Sequence, residues 1–228
     1  MSREPVAVTG LGAVSGYGWG VPALWQGVNS GLTAIGDFSR FDHIAYRTHV
    51  AAQVPDGPAL DAALGRRLTL ADRFALVAAG EALAAAGLGE PLGPAVGLFF
   101  GSSTGGMFEA EEYFDGLASR RGGTRIDRLV AQPTSGPGDA VARANGISGP
   151  VLTLASACAS ANLALGTALD ALRSGEVDIA VAGGSDSLCR LTFAGFNALR
   201  AVDEHPCRPF RVERLGMSIG EGAAVLVL

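Results

Sequence analysis

No long basic run, no membrane-length apolar segment and no cysteine pair occur in these 228 residues. The longest basic stretches are the doublets Arg66-Arg67 and Arg120-Arg121, and 22 acidic side chains outnumber 17 basic ones, for a net charge of −5. That balance excludes a chain built to follow nucleic-acid phosphates. Crossing a bilayer needs an apolar span of roughly 18 residues, and nothing here approaches it. The three cysteines, Cys158, Cys189 and Cys207, are odd in number and contain no C-x-x-C, so neither a disulfide framework nor a zinc site is indicated. The opening MSREPVAVTG enters an apolar strand without a signal-peptide core, so a soluble, cytoplasmic protein is expected. What the chain has in plenty is apolar surface: 48% of its residues are hydrophobic and the mean hydropathy is +0.31. Such a surplus is expected to face a partner, another half of the same protein, or both.

Short β-branched runs alternate with alanine-rich helical stretches, which predicts a layered α/β fold. PVAVTG reads as a strand followed by a Gly-rich turn, residues 21–29 as a short helix, and residues 31–58 as loop with local structure. Residues 69–87 carry Leu70, Phe74, Val77, Ala78 and Leu83 on one stripe, with Gly87 placed to end a helix. AVGLFFG (95–101) reads as a buried strand; a Gly-rich turn and a helix bearing Glu109, Glu111 and Glu112 follow. Residues 118–135 read as loop and 139–145 as a short helix. A strand at 151–155, a helix at 158–173, a strand at 177–182 and a turn at GGSDS come next. The last segment, GEGAAVLVL, is as apolar as any, and a buried strand usually has partners on both sides. The chain is therefore expected to be the front half of something longer.

Three stretches could carry chemistry. VTGLGAVSG (8–16) places G-x-G-x-x-x-G after a strand, near the spacing that lets a dinucleotide phosphate approach a helix N-terminus. The spacing is one residue too long, and the acidic residue expected further on has no home, since Asp37 lies in a Gly-rich loop. A structural turn is the better reading. GSSTG (101–105) is a literal G-x-S-x-G between a strand and a helix, which would make Ser103 the nucleophile of a serine hydrolase. Only His205 follows it, with Asp178 or Asp186 as acid, so a loop lining a pocket is favoured over a nucleophile elbow. In LTLASACASANLALG (152–166) an apolar strand runs through small residues into a helix that starts at Cys158. The positive end of a helix dipole favours a thiolate there, and the free N–H groups can stabilise a thioester oxyanion. The competing reading is an inert buried thiol, the default for Cys189 and Cys207.

Six stretches in order decide between these readings. VAVTGLGAVSGYG, GSSTGGM, GPVLTLASACASA, ALRSGEVDIAVAGGSDS, AGFNALRAVDEHPCRPF and GMSIGEGAAVLVL resemble, in register, the N-terminal half of the β-ketoacyl-acyl-carrier-protein synthases, condensing enzymes of the thiolase fold. The resemblance implies a layered α/β/α arrangement with a mixed sheet and a buried helix starting at the nucleophilic cysteine. Residues 1–228 would form the N-terminal domain, and the C-terminal half would lie outside this chain. By the same resemblance Cys158 takes an acyl group from an acyl carrier protein, and the enzyme then decarboxylates a malonyl-loaded carrier and condenses the two. No metal or redox cofactor is required for that chemistry. Thr104 and Phe196 match positions lining the acyl pocket; Arg200 lies near its mouth and, with Arg66 and Arg67, offers a contact for an acidic carrier protein. Residues 151–155 match the strand through which the family forms homodimers or heterodimers. SDSLCRLTFAGFNALR looks closer to the branch serving specialised polyene-type pathways than to housekeeping synthases. The family pairs its cysteine with two histidines from the C-terminal half; His43, His49 and His205 stand in no such context and are expected in loops or at the surface. Asp186 and Glu221 are expected to be structural. Arg211 stands where the family has an aspartate, and ACASA replaces its usual ACSSG or ACTSG. The rival within the family is a non-catalytic partner subunit, in which the cysteine is usually replaced; outside it, the Ser103 hydrolase remains.

Overall fold

The computed structural model describes residues 5–58, 68–120, 126–130 and 132–228. Strands β1 (Gly10–Ser15), β2 (Gly18–Trp19), β5 (Val96–Gly101), β6 (Val151–Leu154), β7 (Ile179–Asp186) and β9 (Gly222–Val227) make one mixed sheet in the order β2-β1-β9-β7-β5-β6. β5 runs parallel to both β6 and β7, whereas β9 is antiparallel to β7 and β1. Every residue of β5 is buried, as its unbroken apolar run predicts for a strand covered on both faces. Three short strands, β3 (Gly36–Asp37), β4 (Val50–Ala52) and β8 (Ile219–Gly220), form a second small sheet. The predicted turn GGSDS is largely strand, because β7 continues through Asp186 alongside β5 and β9.

Helices α1 (Val21–Ser30), α2 (Leu70–Ala85), α3 (Met107–Ala118), α4 (Asp127–Val130), α5 (Gly136–Ala144), α6 (Ser160–Ser174) and α7 (Arg190–Ala198) flank these strands. α2 opens with a reciprocal capping box: Thr69 accepts from the Asp72 N–H and Asp72 accepts from the Thr69 N–H. Burial raises the Asp72 carboxyl above its usual value. Phe74, Ala75, Ala78, Ala79, Ala82 and Leu83 bury one face of α2 in the main core with Val14, Val96, Leu98, Val181 and Val225. Of the helices that lack a side-chain cap of their own, two are capped from a distance. Glu81 of α2 accepts from the Val21 N–H at 2.8 Å, and Glu111 of α3 accepts from the Arg190 and Leu191 N–H groups at 2.8 and 2.7 Å.

The Gly-rich stretch after Val8 is not a turn. It is β1 itself, and its glycines exist to let α2 approach. A Cβ at Gly10 would lie 2.0 Å from the Ala82 carbonyl oxygen, and one at Gly12 would lie 1.8 Å from that of Ala78. Backbone meets backbone there, so no side chain can yield. Gly12→Ala should lower stability by about 3 kcal/mol, the upper range for overpacking. Urea denaturation checks this; an unchanged midpoint would show that α2 slides away freely.

α6 covers the opposite face of the sheet. Its buried residues are Ser160, Ala164, Ala168 and Ala171, packed on Phe99, Ala180 and Ala182, while its leucines are only partly covered and Leu163 is 47% exposed. Val8 and Leu11 are also exposed. The surplus of apolar residues surfaces in several places, with Trp25 and Val28 on α1, Phe114 and Leu117 on α3, Val151 and Leu152 on β6, and Phe210, Val212, Leu215 and Met217 near the end of the chain also exposed. No helix among the described residues is long and apolar enough to cross a membrane.

Candidate active site

β6 ends at Leu154, and the chain turns through a single 3-10 turn, Ala157–Ala159, before α6 begins at Ser160. Cys158 sits in that turn and is exposed. Ala157 just before it adopts φ 46°, a left-handed conformation that disfavours a residue with a Cβ by about 1 kcal/mol. The turn holds this shape because its polar groups are bound. Ser160 Oγ accepts from the Ser156 N–H at 2.9 Å and donates to the Ala157 carbonyl at 2.8 Å. The Ser160 N–H also donates to Ala157. Gly101, at the end of β5, admits the start of α6: a Cβ there would be 2.4 Å from the Ala161 nitrogen.

The loop after Gly101 completes the site. Asp186, the last residue of β7, accepts from Ser102 Oγ (3.0 Å), the Ser103 N–H (2.9 Å), the Thr104 N–H (2.8 Å) and Thr104 Oγ1 (3.0 Å). One carboxylate therefore fixes three consecutive residues. Ser103 is left with its hydroxyl free to point at the cysteine turn, and it donates to the Ala157 carbonyl at 2.9 Å. Strand end, Gly-rich loop and cysteine turn are one hydrogen-bonded unit, with an exposed thiol at its open side.

The other sequence-predicted residues fall in several places. Thr104 belongs to the unit through Asp186. Phe196 is half-buried on α7, and Arg200, exposed and at φ 54°, lies just beyond that helix. Arg66 and Arg67 lie outside the described residues. Cys189 is buried, contacts Thr192 Oγ1 at 3.1 Å and has its thiol pushed up by burial, all consistent with an inert core thiol; Cys207 is half-buried. His43 bonds the Phe38 carbonyl and His49, and the largely exposed His205 ring lies 3.8 Å from Asp203, so these histidines occupy loops as expected. The roles of Asp186 and Glu221 are structural in this geometry: Glu221 pairs with Arg40 and accepts from the Val54 and Leu188 N–H groups. The sequence reading did not find Asp186 as the anchor of the Gly-rich loop, nor Glu111 as the cap of α7. The signals were there, an acid following G-G-S and glutamates in the helix after GSSTG, but not their targets.

The family model for "Beta-ketoacyl synthase, N-terminal domain" matches residues 3–228. The chain belongs to this family. A putative polyketide beta-ketoacyl synthase 1 of Streptomyces cyaneus is 37% identical over 100% of this chain and 58% of its own length. Among solved structures, the ishigamide ketosynthase/chain length factor superposes with a TM-score of 0.88 at 30% identity, covering 99% of this chain and 58% of that one. A type II polyketide ketosynthase in complex with its acyl-carrier protein, AntDE:AntF, gives 0.81 at 26% identity over 96% of this chain and 56% of that one. The fold is thus the N-terminal half of the thiolase-like ketosynthase architecture, and the chain spans just over half the length of these relatives.

Proposed function

We propose that Cys158 is the acyl-accepting nucleophile of a β-ketoacyl synthase. The observation that carries this reading is the exposed thiol on a strained turn, held from behind by Ser103 and Ser160 and followed at once by α6. Its thiolate attacks the thioester carbonyl of an acyl-loaded carrier protein, the new C–S bond forms as the carrier's C–S bond breaks, and the departing carrier thiolate takes up the proton that Cys158 lost on ionising. The Cys158 N–H donates to the oxyanion in that step. Loss of CO2 from a malonyl-loaded carrier then yields an enolate carbon, which attacks the acyl-cysteine and expels the Cys158 thiolate. The product is a β-ketoacyl thioester of the kind used in polyketide, polyene or fatty-acid assembly. The chain's three histidines stand away from Cys158 in this reading, so decarboxylation is assigned to a C-terminal half, and the isolated chain is competent for acylation only.

Thr104 and Phe196 line the acyl chain's path, and Arg200, with Arg66 and Arg67, meets the acidic carrier. No metal or redox cofactor enters. β6 is an edge strand with Val151 37% and Leu152 45% exposed, which supports dimerisation through residues 151–155. The likeness to a ketosynthase/chain length factor supports a heterodimer as the alternative to a homodimer.

The test is to incubate the native polypeptide with an acyl-carrier-protein thioester and map the adduct by mass. An acyl group on Cys158 is expected. An unmodified Cys158 would overturn the reading in favour of a non-catalytic partner subunit.

A further inference from the structure

Ser103 is the motif residue that the proposed reaction leaves unused, and its hydroxyl does something specific. Three donors converge on the Ala157 carbonyl oxygen: the Ser160 N–H, Ser160 Oγ at 2.8 Å and Ser103 Oγ at 2.9 Å. The two from Ser160 are local to the turn. The one from Ser103 arrives from a separate loop that Asp186 fixes through the Ser102 hydroxyl and the Ser103 and Thr104 N–H groups. Ser103 and Ser160 oxygens lie 3.3 Å apart, and each hydroxyl has a single proton, so both protons can serve Ala157 while the oxygens only touch.

The carbonyl of Ala157 and the N–H of Cys158 belong to one planar peptide unit. Of the peptide bonds around the described residues, Glu90–Pro91 is the one recorded as cis, so this unit is trans and the two groups point in opposite directions. Whatever holds the carbonyl therefore aims the N–H. Donors crowded onto the oxygen also draw electron density through the amide, which makes its N–H a stronger donor. The strained φ of Ala157 needs such an anchor, since a turn released from it would relax and re-aim the same peptide.

We propose that Ser103 is a positioning residue for the oxyanion hole: through the Ala157 carbonyl it orients and polarises the Cys158 N–H that receives the developing charge. This rests on the acyl-transfer reading given above. Ser103 touches neither the thiol nor the acyl group, and it is no nucleophile, because its proton is committed to Ala157. Its effect is confined to steps that build negative charge on the acyl oxygen.

That confinement gives the test. The native full-length polypeptide, its Ser103→Ala variant and its Ser103→Thr variant are compared in two reactions at Cys158. Acyl transfer from an acyl-carrier-protein thioester builds an oxyanion; alkylation by iodoacetamide does not. Ser103→Ala should lower kcat of acyl transfer by about tenfold, a fraction of the hundredfold or more lost with an oxyanion donor itself. KM and the alkylation rate should stay as in the wild type, and Ser103→Thr, which keeps the hydroxyl, should restore kcat. Equal acyl transfer in wild type and Ser103→Ala overturns the proposal, as does a parallel loss of alkylation, which would mean that the hydroxyl merely holds the thiol. Failure of the parent reading looks different: the wild type would then be alkylated at Cys158 yet take no acyl group.

Discussion

Cys158→Ala should abolish acyl transfer, with a loss on the order of a millionfold, as when other enzymes lose their covalent nucleophile. No other group can take over. The Ser103 hydroxyl donates to Ala157, the Ser160 hydroxyl is buried and doubly bonded, and Cys189 is a buried thiol pushed away from ionisation. The fold should survive, because Cys158 is exposed and alanine suits the small-residue turn. The thermal midpoint should therefore move little while the mass of the acyl adduct disappears. Carrier-thioester turnover remaining in Cys158→Ala but lost in Ser103→Ala would reverse the assignment and make the G-x-S-x-G loop a hydrolase elbow. The geometry argues against that result, because His205 lies beside Asp203 and the Asp186 carboxylate is occupied by the loop itself.

The parts of this fold written in periodicity were legible. α2 shows its apolar stripe and the Gly87 that ends it, β5 its unbroken apolar run, and β9 takes a partner on each side, β1 and β7, as its composition demands. The Gly-rich turn was misread because a small residue responds to what comes close in space, and sequence does not say what that is. Gly10 and Gly12 look like turn signals, yet they lie within a strand beneath the carbonyls of Ala82 and Ala78. The same holds in α6, where Ala164, Ala168 and Ala171 are buried against the sheet while the larger leucines remain partly open. The placement of Cys158 in a turn between a strand and a helix was legible because strand, small residues and helix are contiguous around it. Its support was not. Asp186 lies 82 to 84 positions from the groups it binds, and nothing local to Glu81 or Glu111 tells which helix each will cap.

The largest expected loss of stability is at Glu221. Its side chain is fully buried and its two oxygens serve three segments: one accepts from Arg40 and from the Val54 N–H at 3.0 Å, the other from the Leu188 N–H at 2.9 Å. Glu221→Ala would strand a guanidinium that is only 16% exposed and whose Nε already has no partner, together with two backbone donors. A loss of about 3–5 kcal/mol is expected, most of it the penalty for the groups left behind rather than the worth of the ion pair. The double variant Arg40→Met with Glu221→Gln separates the two contributions, since it removes both charges and should recover a large part of the loss in urea denaturation. If Glu221→Ala unfolds at the wild-type urea concentration, water reaches Arg40 and the cluster is not the anchor described here. The consequence should reach the active site as well. Leu188 lies two residues beyond Asp186, so freeing its N–H loosens the strand end from which Asp186 holds the Ser102–Thr104 backbone, and through Ser103 the turn that carries Cys158. Acyl transfer in Glu221→Ala should accordingly fall under conditions where the variant is still folded, and a rate equal to wild type there would confine Glu221 to stability alone.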